Sequence, residues 1–228
     1  MSEAPGPVGR TARDGETRLL LVRHGETGWE AQRRYAGGLS DIGLTTSGRR
    51  QARQLSEQVR HARLDAVVSS PLRRAIETAA PCAKAVGVPL QTVDALREIE
   101  FGIAEGRSID ELLTMDEEMV HRFRLDPVAH PFLGGEEPAS VARRIDEALR
   151  EIARRYTGCS VLVVGHNTSL RLGLCELLGL PISRYRQIFP RLENCALTEL
   201  VLPTGELGPA SLLSLNAPGF LGTREHDG

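Results

Sequence analysis

The sequence predicts an α/β fold in three layers, with a mostly parallel central sheet between flanking helices. Two short apolar runs carry this prediction: residues 20–22 stop at Arg23-His24-Gly25, and residues 161–164 stop at Gly165-His166. Apolar runs of this length that are bounded by glycine are typical of buried strands. The length of 228 residues fits a single α/β domain.

The other elements follow from the same periodicities, taken in chain order. Thr46-Ser47 are candidate N-caps of a helix that continues to residue 59. Residues 65–68 predict a strand, followed by a helix over 72–86 that Gly87 ends and in which Pro81 predicts a kink or break. The further expected elements are a short strand near residue 93, a helix-like stretch over 108–125, helices over 140–156 and 169–178, and strands over 196–202 and 211–215.

Charged and titratable side chains follow the predicted strand ends. His24 stands beside Arg23 after the first strand, and His166, Arg74 and Glu98 follow later ones. Because the carboxyl ends of parallel strands share one edge, where open α/β sheets bind ligands, these side chains are expected to converge. One such histidine alone is most often structural, but two favour a site. Arginine and histidine suit an anion, most naturally phosphate, and Glu98 is the obvious proton carrier beside them.

An ordered set of motifs resembles the histidine phosphatase superfamily, in its phosphoglycerate-mutase-like branch, from about residue 19 to about residue 215. The matching pieces are Leu21-Val22-Arg23-His24-Gly25-Glu26-Thr27 with Trp29, Asp41-Ile42-Gly43-Leu44-Thr45 with Gly48 and Gln51-Ala52, Ser69-Ser70-Pro71-Leu72-Arg73-Arg74-Ala75 with Thr78-Ala79, Leu96-Arg97-Glu98 with Phe101-Gly102 and Glu105-Gly106, Gly134-Gly135-Glu136, and Val164-Gly165-His166 with Arg171. The resemblance implies a phosphoglycerate-mutase-like α/β/α fold.

The resemblance also implies a mechanism. His24 would attack phosphorus and become a phosphohistidine, while Arg23, Arg74 and His166 hold the phosphoryl oxygens. Glu98 would protonate the leaving oxygen and then activate water. No metal or other cofactor is implied, because the arginines take the part that Mg²⁺ plays in other phosphoryl transfers. The implied substrate-binding residues are Thr27, Glu30, Arg34, Ala36, Gly37 and Asn167, and the free N–H groups of the helix that Asn167 opens are expected to help bind the anion.

Two departures from the family pattern concern substrate choice. Glu30 replaces the usual Asn after Trp29, and Ala36 replaces a polar residue before Gly37. A carboxylate at this place would repel a second phosphate or a carboxylate of the substrate. We therefore hypothesise a monophosphate substrate with a neutral or cationic body. The alternative is that Glu30 points to solvent.

The segment of about residues 106–138 is predicted to form a lid, and it bears on the choice between phosphatase and mutase. Cofactor-dependent phosphoglycerate mutases of the family carry a longer, basic lid that holds a bisphosphate and excludes water. This lid is short and its first half is acidic, which favours hydrolysis of a small-molecule phosphate monoester, although Arg122 and Arg124 could point inward. The alternatives are a mutase and a non-catalytic module that binds a phosphorylated ligand.

Composition limits the remaining classes. A net charge of −2 and a pI near 6.3 give no sign of a nucleic-acid partner, and no apolar run is long enough for a bilayer. Residues 1–17 and 222–228 are expected to be disordered tails around one domain over 18–221, and the start lacks the apolar core of a secretory signal. Four cysteines without close or metal-ligand spacing favour a cytoplasmic location. Residues 185–190 are either a contact surface, as in a homodimer, or ordinary packing.

Overall fold

The computed structural model describes residues 15–204 and 210–217, which build a mixed sheet of six strands. The strands are β1 (Glu16–Arg23), β2 (Ala66–Ser69), β3 (Leu90–Thr92), β4 (Ser160–Gly165), β5 (Leu197–Pro203) and β6 (Ser211–Ala217). Their order across the sheet is β3-β2-β4-β1-β5-β6. Strands β1 to β4 are parallel, whereas β5 and β6 are antiparallel to their neighbours. The mostly parallel sheet is therefore confirmed.

Helices connect the strands. In the described residues they are α1 (Gly28–Ala31), α2 (Thr46–Val59), α3 (Arg73–Val86), α4 (Ile109–Met115), α5 (Glu117–Leu125), α6 (Pro138–Arg155), α7 (Asn167–Leu177) and α8 (Tyr185–Ile188). The four longest correspond to the predicted helices. Their bounds differ from the predicted ones by at most two residues, the range over which helix ends commonly fray.

The sheet lies between two apolar layers, which confirms the three-layer prediction. Leu19 and Leu21 of β1 pack with α6 and α7, whereas Leu20 and Val22 pack on the other face with α2 and α3. Successive side chains of a strand point to opposite faces, so a strand buried on both sides is apolar throughout. This is why residues 19–22 form an uninterrupted apolar run that ends abruptly at Arg23.

Two local expectations on the helices need correction. The N-cap of α2 is Thr45, whose side chain accepts a hydrogen bond from the Gly48 N–H, and not Thr46 or Ser47. Pro81 does not break α3, which is continuous from residue 73 to residue 86. Buried residues on both sides of the proline, including Ala79 and Cys82, pack into the same apolar layer and hold the helix together across it.

The predicted lid contains two helices rather than one helix-like stretch. Asp116 has an extended backbone that ends α4, and its side chain accepts a hydrogen bond from the Met119 N–H, which caps α5. A separate apolar cluster holds these helices, and its buried members are Ala104, Leu112, Val120, Phe123 and Phe132. The lid helices therefore pack on a small apolar cluster that is separate from the two layers on the sheet.

The ordered part of the chain begins slightly before the predicted start of the domain. Glu16 and Thr17, which were assigned to the N-terminal tail, belong to β1, because this strand pairs with β5 from its first residue. Residues 1–14 and 222–228 of the predicted tails, and residues 218–221 at the end of the predicted domain, lie outside the described residues. Across the described ranges, no helix has the length and apolar character needed to cross a membrane. All four cysteines are free, and Cys82 and Cys175 are buried, as predicted for core residues.

Candidate active site

The two histidines lie at neighbouring strand ends. β1 ends at Arg23 and β4 ends at Gly165, and these residues are partners in the parallel ladder. The next residue on each strand is His24 or His166, and their ring centroids are 5.1 Å apart with an edge-to-face orientation. The predicted convergence of these side chains is observed.

His24 is held with one ring nitrogen free. Its Nδ1 lies 2.7 Å from the carbonyl oxygen of Gly25, and because a carbonyl only accepts, Nδ1 carries the proton. Nε2 therefore keeps its lone pair. Burial, and then the charges of Arg74 and Arg23, lower the pKa of His24 well below its usual value, so the ring is neutral. A neutral imidazole with a free Nε2 is suited to nucleophilic attack.

His166 is oriented by Ser70, which follows β2. The Nε2 atom of His166 lies 2.8 Å from the Ser70 hydroxyl, while its Nδ1 is buried and has no hydrogen-bond partner. Burial and the charge of Arg74 lower the pKa of His166 well below its usual value. Nδ1 is therefore the nitrogen of this ring that remains available to a ligand.

Arg74 lies at the start of α3 and is fully buried. Its Nη1 donates to the Ser40 carbonyl at 2.5 Å, and its Nη2 donates to the carbonyls of Gly37 and Ala36 at 3.0 and 3.3 Å. Its Nε is buried without a partner. Burial lowers the pKa of Arg74, while Glu98 and other nearby carboxylates oppose the shift. Loop carbonyls thus fix one side of the guanidinium and leave Nε–H free.

Arg23 is held by two different partners. Its Nη1 donates to the Leu192 carbonyl at 2.9 Å, and its Nη2 forms an ion pair of 2.6 Å with Glu30. Its Nε is also buried and unpartnered. Glu30 is further held by Asn194, whose Nδ2 lies 3.1 Å from Oε2 and 2.8 Å from the His24 carbonyl. The alternative that Glu30 points to solvent is wrong, because its carboxylate faces a cation of the site.

Glu98 is fixed at the first turn of α7. Its Oε2 accepts from the Thr168 N–H at 2.9 Å, and its Oε1 accepts from the N–H groups of Ser169 and Ile99 at 2.7 and 3.0 Å. The helix N–H groups that were expected to help bind a phosphate are therefore bound to Glu98. A carboxylate offers about four acceptor positions, so three such bonds leave Oε2 with one position for a proton.

The other predicted substrate-binding residues differ in what they contact. Thr27 is buried and caps α1, and Ala36 and Gly37 present their carbonyls to Arg74. The side chain of Asn167 accepts from the Leu192 N–H at 3.1 Å. Arg34 lies elsewhere: it donates to the carbonyl of Gly106 and pairs with Glu111, which ties this loop to the lid.

The structure also answers whether the two arginines of the lid, Arg122 and Arg124, point inward. Arg122 and Arg124 are exposed on α5, and Arg122 lies 3.3 Å from Nδ1 of His130. Neither belongs to the contacts around His24. In residues 185–190, Tyr185 and Phe189 are buried in the main core, which supports ordinary packing at these two positions.

Sequence reasoning missed several residues that hold the site. Ser70 and Asn194 contact His166 and Glu30, and Glu105 binds the loop under Arg74. Arg144 was not predicted as a residue of the site, but its Nη1 donates to the carbonyls of Ala95 and Arg97 at 2.8 Å and so clamps the segment of Glu98. Helical spacing put it on the polar face of α6, and only the fold brings that segment against it.

The arrangement as a whole is suited to phosphoryl transfer. Arg23 and Arg74 each keep a buried Nε–H without a partner, and His166 keeps a buried Nδ1 without one. The charges of both arginines act on His24, and the His166 ring lies next to it. Leaving buried donors unpaired costs free energy, about 1–3 kcal/mol each, which an anion would restore. Within residues 15–204 and 210–217, no group of three or more His, Cys, Asp or Glu side chains could hold a metal ion.

Comparison with known proteins identifies the family. The model described as the histidine phosphatase superfamily (branch 1) matches residues 19–213. Phosphoserine phosphatase 1 of Hydrogenobacter thermophilus is 34% identical over 168 residues, which cover 74% of this chain and 79% of that protein. A probable phosphoglycerate mutase, GpmB of Yersinia pestis, is 36% identical over 182 residues, 80% of this chain and 83% of that one.

A solved structure gives the same result. YhfR of Bacillus stearothermophilus superposes with a TM-score of 0.81 at 29% identity, over 88% of this chain and 97% of that chain. The chain belongs to the histidine phosphatase superfamily. The predicted family and α/β fold are confirmed, and so is the predicted enzyme class, a phosphoric monoester hydrolase.

Proposed function

We propose that the chain hydrolyses a small-molecule phosphate monoester without a metal, through a phosphohistidine on His24. The observation that carries this proposal is the pair of unpaired buried donors on Arg23 and Arg74, together with the unpaired Nδ1 of His166, next to His24 with its free Nε2. A tetrahedral oxyanion satisfies such donors and is held in line with the nucleophile. The family membership supports the same chemistry.

The proposed reaction has two steps. Nε2 of His24 forms a bond to phosphorus while the bond from phosphorus to the ester oxygen breaks, and Glu98 gives its proton to that oxygen. Water then attacks phosphorus, Glu98 takes a proton from it, and the phosphorus–nitrogen bond breaks to release phosphate. The hydrogen bonds of Glu98 fix its position, and the acceptor position left on Oε2 serves the proton.

The lid supports hydrolysis over mutase chemistry. A mutase must retain a bisphosphate and exclude water, which requires cations that face the site. Arg122 and Arg124 are exposed, and Arg34 is paired with Glu111. In addition, the carboxylate of Glu30 stands beside Arg23, where it disfavours a second phosphate.

Glu30 also supports a substrate with a neutral or cationic body. Its side chain is 25% exposed, and its Oε1 lies 2.6 Å from Arg23 and 3.8 Å from the solvent-facing Arg191. Two unit charges 4 Å apart interact by about 1 kcal/mol in water and about 4 kcal/mol near a protein surface. An ammonium group next to the phosphoryl site is therefore bound more favourably, and a second anion less favourably, by a free energy that kinetics can measure.

The first experiment measures phosphate release from a panel of monophosphates, with chelator present, for the parent protein and for His24→Ala. The proposal expects release that the variant lacks, together with an acid-labile phosphoprotein in the parent alone. Interconversion of phosphoglycerates after addition of a bisphosphate, without release, would make the chain a mutase. No turnover and no phosphoprotein with any compound would favour the non-catalytic binding module.

A second experiment tests the substrate class with two compounds of nearly equal shape. Phosphoserine carries an ammonium group where 3-phosphoglycerate carries a hydroxyl. We expect kcat/KM to favour phosphoserine, and Glu30→Gln to reduce that preference about tenfold, or about 1.4 kcal/mol. Glu193→Gln is the matched control, because Glu193 pairs with Arg191 and not with Arg23. An unchanged preference in Glu30→Gln would contradict the assigned role.

The remaining expectations stay proposals. We propose a single domain, which was predicted over residues 18–221 and which starts at Glu16 because β1 begins there. Its lid covers about residues 106–138. A cytoplasmic location and a homodimer are further proposals, which cell fractionation and light scattering of the purified protein test.

A further inference from the structure

The loop of residues 36–40 lies between Arg74 and a carboxylate that has no assigned role. On one side, the carbonyls of Ala36, Gly37 and Ser40 accept the hydrogen bonds of the Arg74 guanidinium. Among the described residues these are the only hydrogen bonds of that guanidinium, and its Nε has no partner. The position of the loop backbone therefore decides where the guanidinium stands.

Glu105 lies on the other side of this loop. Its Oε2 accepts from the Gly37 N–H at 3.0 Å and from the Ser40 hydroxyl, and its Oε1 accepts from the Phe101 N–H at 3.2 Å. Two of the residues that it binds, Gly37 and Ser40, are thus the ones whose carbonyls hold Arg74. The Glu105 carboxylate therefore holds the loop of residues 36–40 at two places, Gly37 and Ser40.

The close fit at Gly37 shows how tightly this contact is set. A Cβ added at Gly37 would stand 2.0 Å from Oε1 of Glu105 and 2.5 Å from the Ile99 carbonyl, so any side chain there would push the loop away. Gly37 is buried, and this closeness explains why glycine occupies the position.

We propose that Glu105 is a positioning residue that sets Arg74 through the backbone of residues 36–40. The inference rests on the proposed function, in which Arg74 holds the phosphoryl group. When the carboxylate is removed, Gly37 and Ser40 lose a charge-assisted acceptor, and their carbonyls no longer fix the guanidinium. A displacement of about 1 Å in a catalytic group can lower the rate about 10²-fold.

Other contacts hold the loop in place when Glu105 is changed. Gly38 donates its N–H to the Ile99 carbonyl at 3.0 Å, and its own carbonyl accepts from Arg97. The expected result is a loop that stays folded but is less well aligned, rather than an unfolded site.

The test compares Glu105→Ala, Glu105→Gln and Glu111→Ala for kcat, KM and inhibition by inorganic vanadate, an oxyanion of trigonal-bipyramidal geometry. We expect Glu105→Ala to lower kcat about 10²-fold and to weaken vanadate inhibition at least about tenfold. Glu105→Gln is expected to keep most of the parent kcat and vanadate inhibition, because the amide oxygen of glutamine can still accept the hydrogen bond from the Gly37 N–H. Glu111 is the matched control: it too accepts from a backbone N–H, of Ser108, and from a side chain, Arg34, but reaches no group that touches Arg74.

Vanadate affinity separates positioning from a loss of folded protein. A purely structural role would reduce the active fraction and hence kcat, while KM and the vanadate inhibition constant stay at parent values, and that result would overturn the inference. Should Glu105→Ala not fold, Ser40→Ala removes the hydroxyl contact alone and is expected to weaken vanadate binding in the same direction; parent behaviour there would also overturn it. Activity that survives in His24→Ala would instead refute the proposed function itself.

Discussion

The two histidines of the site predict that the protein loses stability in mild acid. His24 is 6% exposed and His166 is fully buried, and burial together with Arg74 lowers the pKa of both imidazoles well below the usual value. The unfolded chain protonates these side chains as the pH falls through about 6.5, while the folded protein keeps them neutral. The unfolded state then binds more protons, so the free energy of unfolding falls with falling pH.

The magnitude follows from the number of such groups. Each histidine that is neutral in the folded state and charged in the unfolded state gives a limiting slope of about 1.4 kcal/mol per pH unit. For two histidines, the slope develops gradually as the pH passes their pKa in the unfolded chain. The loss in the free energy of unfolding between pH 6.5 and pH 5.5 is about 2 kcal/mol. For a domain of this size the loss corresponds to a fall in Tm of about 4–8 °C.

The assay is thermal or urea unfolding at closely spaced pH values. The double variant with His24→Asn and His166→Asn is expected to lack the loss of about 2 kcal/mol, while the pH dependence of stability that other groups cause remains. His61→Asn is the matched control, because His61 is exposed at the end of α2. A parent slope that survives in the double variant would refute the reasoning that these imidazoles are neutral in the folded protein.

Three further predictions concern single side chains. Arg34→Ala should change KM by less than about fivefold, the equivalent of about 1 kcal/mol for an exposed ion pair; a larger rise, measured with the preferred monophosphate, would make Arg34 a substrate ligand. Ser70→Ala should lower kcat/KM about tenfold, because the buried Nε2 of His166 loses its partner, and Ser70→Thr should restore it; equal activity of both variants would contradict this. Arg144→Met should slow esters with poor leaving groups more than p-nitrophenyl phosphate, because it releases the segment that carries Glu98; equal slowing would show that proton donation is unaffected.

The parts of the structure that sequence reasoning located are those that local patterns determine. The strand of residues 19–22 is apolar because both of its faces are covered, and its end is marked by the first charged residue. Parallel strands place their ends along one edge, so the pairing of β1 with β4 brings His24 next to His166 without any knowledge of side-chain contacts. Residue types at strand ends were therefore enough to find the centre of the site.

The parts that it did not locate depend on contacts between segments far apart in the chain. Glu105 binds Gly37 across 68 residues, and Asn194 reaches Glu30 across 164. No periodicity records such pairs, because the residues occur in loops whose course is set by packing. The direction of Glu30 was open for the same reason: its partner Arg23 is near in sequence, but Glu30 lies within the short helix α1, whose orientation decides whether the carboxylate faces Arg23.

Binding of a simple oxyanion links the acid sensitivity to the unpaired donors. Sulfate keeps its two negative charges through mild acid, and in the site it would accept from Arg23, Arg74 and His166. An anion beside the imidazoles favours their protonated forms, so binding takes up protons and, by reciprocity, stabilises the protein more as the pH falls. The rise in Tm at a fixed sulfate concentration should therefore be larger at pH 5.5 than at pH 7, with sodium chloride of equal ionic strength as the control. A rise in Tm that does not depend on pH would mean that sulfate binds away from the histidines, and the unpaired donors would then need a different explanation.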